Sequence, residues 1–282
     1  MKILISADIE GIAGVFNVEQ TRPGNPEYER ARRWMTEEAN AAIRGAFNGG
    51  AQSVLVNDSH GSFRNLLPDQ LDSRAQFVLG KPRYLGMMAG LEQGCDGLVL
   101  LGYHSRAQGR GVLAHTINSF AFARIEINDQ PMGEAGLYGA IASELGVPVL
   151  MGTGDDQFIL ETQSHFPMSQ WVQTKLAYGH SSGLTRSGPE VCHEIESRTA
   201  QVVRARIDAK DRNKYVESQL KFIGPIQCKL TTQGPAFADL FCTLPMLARI
   251  DSVTVGITAH TMQDLIRMLN SLAAMSFMLA AG

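Results

Sequence analysis

Ile3-Leu4-Ile5-Ser6-Ala7-Asp8-Ile9-Glu10-Gly11 is the stretch from which the fold class can be read. A short apolar run closed by a glycine is how a fully buried strand looks in sequence. Side chains alternate across a strand, so Asp8 and Glu10 share one face if the chain stays extended. In an open α/β sheet, ligands collect beyond the carboxyl ends of the strands. Two acids held together there repel each other, and without a cation one of them must take up a proton. A metal removes that cost, which makes Asp8-x-Glu10 a candidate metal site.

The same texture recurs along the chain, with strand and helix signals in alternation. A polar loop with Pro23, Gly24 and Pro26 precedes a helix from about Glu27 to Asn48, which Gly49-Gly50 ends. Ser53-Val54-Leu55-Val56 reads as a second buried strand running into Asn57-Asp58-Ser59-His60, and Gly97-Leu98-Val99-Leu100-Leu101 as a third running into Gly102-Tyr103-His104. Residues 123–128 alternate with period two, as a half-exposed strand does, and Asn128-Asp129-Gln130-Pro131 is the turn after it. Glu134 to Leu145 reads as a helix stopped by Gly146, followed by a buried strand from Val147 to Met151. Gly152-Thr153-Gly154-Asp155-Asp156 lacks the lysine of a phosphate-binding loop and reads as a strand-to-helix loop with an aspartate cap. Beyond Tyr178 come a Gly- and Ser-rich loop, a helix to about Arg204, strand-like pieces and a closing helix from about Thr261 to Leu279. The expectation is an α/β fold: a mainly parallel sheet flanked by helices in a catalytic domain of residues 1–178, and a smaller α+β domain of residues 179–282.

A hydrophobic content of 44% and a charged content of 19% are those of an ordinary globular protein. The net charge of -3, with no basic stripe, argues against nucleic acid as a partner. Cys95, Cys192, Cys228 and Cys242 form no CxxC pair and fit reduced thiols. Signal-peptide features are missing after Lys2, and the most apolar stretch, about Leu269 to Ala281, is too short to span a bilayer. These features lead to the expectation of a cytoplasmic protein without a membrane partner.

Three strands thus end in metal-capable residues: Asp8 and Glu10, then His60, then His104. If the strands are parallel neighbours, all four side chains converge on one edge of the sheet. Glu134, at a helix start where a carboxylate is favoured, is the fifth candidate. Three carboxylates and two imidazoles are too many ligands for one tetrahedral zinc and suit two metals sharing a carboxylate bridge, for which Asp8 is the choice. Such a centre makes a hydroxide nucleophile at neutral pH. His115, in a glycine-rich loop, could act as general acid or base. Asn57 and Asp58 are candidates for fixing the His60 imidazole. Taken singly, each has a plain reading: Asp8-x-Glu10 as a loop start, Glu134 as a first-turn acid, each histidine as a loop residue. His165, His180, His193 and His260 read as ordinary histidines. Coincidence of position carries the metal reading.

At these residues the sequence resembles the DppA-type D-aminopeptidase family of binuclear zinc metallopeptidases. The matching motifs are Ser6 to Gly11, Met35-Thr36-Glu37-Glu38-Ala39-Asn40, Val54 to His60, Leu101 to His104, His115-Thr116, Asn128-Asp129 through Gly133-Glu134, and Val147 to Leu150 followed by Gly154-Asp155-Asp156. The likeness runs in register over most of residues 1–157. It implies two zinc ions held by residues matching Asp8, Glu10, His60, His104 and Glu134, manganese or cobalt being the other candidate metals. It also implies that His115 is the catalytic histidine, which the family assigns as the nucleophile; a metal-bound hydroxide assisted by His115 is the chemically simpler route. The implied activity is aminopeptidase cleavage of short peptides, releasing D-amino acids, in a ring-shaped homodecamer. The loop Gly14 to Pro26 departs from the pattern, Ala114 stands where serine is common, and Tyr178-Gly179-His180 stands where a Gly-Arg pair would follow a lysine, here Lys175. The rivals are another binuclear metallohydrolase (an amidase, or a phosphoesterase using Arg64, Arg106 or Arg110) and a non-catalytic peptide- or metal-binding protein.

Overall fold

The computed structural model describes residues 1–211 and 213–280. The opening run forms β1 (Lys2–Ala7), whose residues from Ile3 onward are buried on both faces, as an inner strand of a parallel sheet requires. α1 (Pro26–Asn48) starts where Asn25 accepts a hydrogen bond from the Tyr28 N–H, with Pro26 in the first turn. β2 (Ser53–Asp58), β3 (Gln76–Val78) and β4 (Gly97–Leu101) follow. Next come the hairpin β5 (Phe122–Ile127) and β6 (Gln130–Pro131), then α2 (Glu134–Glu144), β7 (Val149–Asp155), α3 (Asp156–Thr162), β8 (Gln170–Gly179) and β9 (Ser182–Thr185). The chain continues through α4 (Gly188–Asp208), α5 (Asn213–Glu217), β10 (Ile226–Thr232), α6 (Pro235–Phe241), β11 (Ala248–Arg249), β12 (Thr254–Ala259) and α7 (Met262–Ser276).

The first sheet has the order β3-β2-β1-β4-β7-β8-β9. Its pairings are parallel except for the β8–β9 hairpin at one edge. One face, carrying Ile3, Ile5, Val54, Val56 and Val99, packs with Ala39 and Ile43 of α1 and Ile195 and Val203 of α4. The other, carrying Leu4, Leu55, Leu98 and Leu100, shares a core with Leu137 and Ile141 of α2, Leu265 and Leu269 of α7, and a second sheet. That sheet is antiparallel, in the order β11-β12-β10-β5-β6.

The elements cross the division expected at residue 178. β5 pairs with β10 from beyond residue 225, β8 runs through Tyr178, and α4 covers the first sheet. Two local readings also change. β7 extends through the Gly152-Thr153-Gly154 stretch expected to be a loop; at Gly154 a side chain would collide with the Tyr103 carbonyl and the Phe158 ring, so a strand residue without one is needed. The Gly- and Ser-rich segment after Tyr178 forms β9 rather than open loop. Among the described residues, no helix is long and apolar enough to cross a membrane.

Candidate metal centre

Parallel pairing of β1 with both β2 and β4 aligns three strand ends, with Ala7 opposite Asp58 on one side and Leu101 on the other. Asp8 and Glu10 therefore leave β1 beside the turn carrying His60 and the turn carrying His104. The backbones meet closely here. A Cβ on Gly11 would lie 2.1 Å from the Tyr103 carbonyl oxygen, and one on Gly102 would lie 2.3 Å from that of Asp8. Gly102 also has a φ of 67°, a left-handed value that glycine adopts without strain.

All five expected ligands and His115 meet at this edge. Asp8 Oδ1 lies 3.3 Å from His60 Nδ1, and its Oδ2 lies 3.5 Å from His104 Nε2. Glu10 Oε2 is 3.0 Å from His60 Nδ1. Glu134, delivered by the first turn of α2, places Oε1 3.6 Å from His104 Nε2 and 3.7 Å from His115 Nε2. The His104 and His115 rings stack, with centroids 4.1 Å apart and planes 11° from parallel.

The other ring nitrogens determine the tautomers. His60 Nε2 faces the Thr21 carbonyl at 2.8 Å, His104 Nδ1 the Ser105 carbonyl at 2.9 Å, and His115 Nδ1 the Leu113 carbonyl at 2.9 Å. A carbonyl only accepts, so each of these nitrogens carries the hydrogen. In the neutral rings the remaining nitrogens are lone pairs aimed at carboxylates. Lone pair against carboxylate is repulsive unless a proton or a cation stands between them. Among the described residues, the buried His104 Nε2 and Glu10 Oε2 find no hydrogen-bond partner. That is the donor set a divalent cation needs, with imidazole and carboxylate both suited to zinc.

Without a cation, protons must serve. Burial, then the neighbouring Glu10, lifts the Asp8 carboxyl to about 8. Burial works against charge on His104, but Glu134, Asp8 and Glu10 outweigh it and raise the imidazole to about 10. Burial and the adjacent His104 hold His115 below its ordinary value, a setting for a proton acceptor.

Two supporting roles differ from expectation. Neither Asn57 nor Asp58 holds the His60 imidazole. Asp58 instead accepts from the Asn65 and Leu66 N–H groups and from Asn65 Nδ2, folding the loop behind His60, while Asn57 bonds Ala89 and Arg83. The Thr21 carbonyl orients the ring, and a main-chain atom leaves no mark in sequence. Asp155 caps α3 through the Phe158 N–H as expected, and also accepts from the Val112 N–H, anchoring the loop of His115. His165 is half-buried beside a cavity of about 220 Å³ that His104, Arg106 and Glu161 also line; His180, His193 and His260 are exposed.

The sequence profile of the peptidase M55 family, described as D-aminopeptidase, matches residues 1–271. The chain belongs to the D-aminopeptidase family. A D-aminopeptidase of Bacillus subtilis (strain 168) is 41% identical over 200 residues, covering 71% of this chain and 73% of the relative. A solved structure, the Zn-dependent D-aminopeptidase DppA from Bacillus subtilis, a self-compartmentalizing protease, superposes with a TM-score of 0.90 at 29% identity over 98% of each chain. In this D-aminopeptidase family member, both sheets described above therefore fall within the similarity.

Proposed function

We propose that this chain is a zinc-dependent aminopeptidase that hydrolyses the amino-terminal peptide bond of short peptides and releases D-amino acids. Asp8 carries the reading: its two oxygens face two different imidazoles, each held in the tautomer that turns a lone pair inward. Two ions there would be held by Asp8 together with Glu10 and His60 on one side and His104 and Glu134 on the other. Zinc bound there supplies Lewis-acid polarisation of the peptide carbonyl and lowers the pKa of a water.

The residues do the rest. His115 stands at the rim, its side chain 22% exposed, with Nε2 3.7 Å from Glu134 Oε1 and Nδ1 tied to the Leu113 carbonyl. It takes a proton at Nε2 from the water that adds to the carbonyl carbon and gives it to the amine nitrogen as the C–N bond breaks. Its stacking on His104 sets the direction of that nitrogen. Among the arginines a phosphoesterase would need, Arg106 stands against Glu161, and Arg64 and Arg110 are exposed, so peptide chemistry is favoured over phosphate.

The solved relative's self-compartmentalizing nature supports an oligomeric assembly of this chain, for which the further proposal is a ring-shaped homodecamer located in the cytoplasm; exposed Phe120, Met246, Phe277 and Met278 offer apolar surface for contacts between copies. Elemental analysis should find about two zinc ions per chain, and light scattering a large oligomer. A panel of L- and D-aminoacyl amides and dipeptides decides the substrate. His115→Ala should lower turnover about 10²- to 10⁴-fold while both ions stay bound; full activity in that variant, or in metal-free protein, contradicts the mechanism.

A further inference from the structure

Lys175 lies in β8 with no solvent exposure. Its ammonium has three hydrogens, and three acceptors surround it: the carbonyls of Glu10 at 2.6 Å, Ile12 at 2.9 Å, and Val15. All three belong to one stretch of chain, the loop that leaves β1 carrying Glu10. The preceding Thr174 donates its hydroxyl to the Gly11 carbonyl at 2.6 Å. Two consecutive strand residues reach the same loop because the register against β7 slips there. Gln173 lies opposite Gly154 and Lys175 opposite Asp155, so Thr174 is the extra residue of a bulge. From α1, Glu38 accepts the Ala13 N–H at 2.9 Å. The loop is thus held by donors from β8 and by an acceptor from α1.

A buried ammonium is costly, and strand packing alone would be served by an apolar side chain. What Lys175 does that an apolar residue cannot is draw three carbonyls of one loop toward a single point. We propose that Lys175 is a positioning residue of the metal centre: by gathering the Glu10, Ile12 and Val15 carbonyls it sets the backbone from which the Glu10 carboxylate is aimed at His60. The proposal rests on the reading of Glu10 as a metal ligand given above. It places the control of one ion in β8, far along the chain from every ligand.

The test uses full-length protein stripped of metal and titrated with Zn²⁺ against a chromogenic chelator, and with Co²⁺, whose visible bands report coordination. Folding is followed by circular dichroism. Lys175→Met should weaken one of the two sites about 10- to 100-fold, the effect seen when groups orienting a ligand are removed, and should change the cobalt bands. Thr174→Val, a milder change on the same loop, should weaken that site about threefold, the worth of one hydrogen bond. A folded Lys175→Met with wild-type affinity and bands overturns the proposal, even if its melting temperature falls. Should Lys175→Met not fold, wild-type metal binding by Thr174→Val overturns it. Failure of the wild type to bind either metal overturns the reading of the site itself and this proposal with it.

Discussion

Asp8 and Asp58 sit at the ends of neighbouring strands, both buried, yet they are opposites. Asp58 is surrounded by donors: two main-chain N–H groups and the Asn65 amide. Among the described residues Asp8 accepts only from the Ile9 N–H, and otherwise faces imidazole nitrogens and the Glu10 carboxylate. A buried carboxylate surrounded by donors is scaffold, whereas one surrounded by lone pairs marks a place for a cation. Glu38 stands between the two: among the described residues it has one donor, from Ala13, and one buried oxygen without a partner.

The largest effect expected from this contrast is on Asp8. Asp8→Ala should lose both ions and lower turnover about 10³-fold or more, while urea unfolding of the metal-free protein shows no loss of stability. Asp58→Ala should do the reverse, costing about 3 kcal/mol of unfolding free energy as buried donors lose their acceptor, with the ion on the His104 side retained. Exchanged outcomes would break the comparison.

Glu38 sharpens it through pH. Burial, opposed by the Ala13 hydrogen bond, raises its carboxyl from 4.5 to about 7. The fold then prefers the protonated form, so the contribution is complete below about 4.5 and is lost as pH rises through about 7. Over that window wild type should fall behind Glu38→Gln by about 1.4 kcal/mol per pH unit; parallel stability curves for the two proteins would refute it. The smallest effect is on the Asp58 side. Tyr28 donates its hydroxyl to Asn65 Oδ1, and Tyr28→Phe should cost about 1 kcal/mol without changing metal content.

What could be read in sequence follows the same division. Asp8, Glu10, His60 and His104 stand out because each comes shortly after a mainly apolar run, and β1, β2 and β4 are parallel neighbours. Glu134 is legible because a carboxylate suits the first turn of a helix. The partners that orient these groups are not legible, since the carbonyls of Thr21, Ser105 and Leu113 belong to the main chain. Thr174 and Lys175 point the same way only because of a slipped register, which strand periodicity cannot reveal. The Gly152-Thr153-Gly154 stretch misleads for a related reason: local composition suggests a loop, whereas the Tyr103 carbonyl and Phe158 ring demand a strand residue without bulk. β5 alternates correctly, but one of its two partner strands, β10, comes from beyond residue 225.

The crossing of Gly11 and Gly102 has a further bearing on how such a centre can change over time. Asp8 and His104 are spaced by a joint made of main chain, in which neither contact point has a side chain to vary. Apolar residues beneath it can be exchanged and walls around it rebuilt without altering that spacing. Only a side chain placed at the joint itself would force the strands apart. The appetite of the enzyme can therefore drift while its chemistry stays where it is.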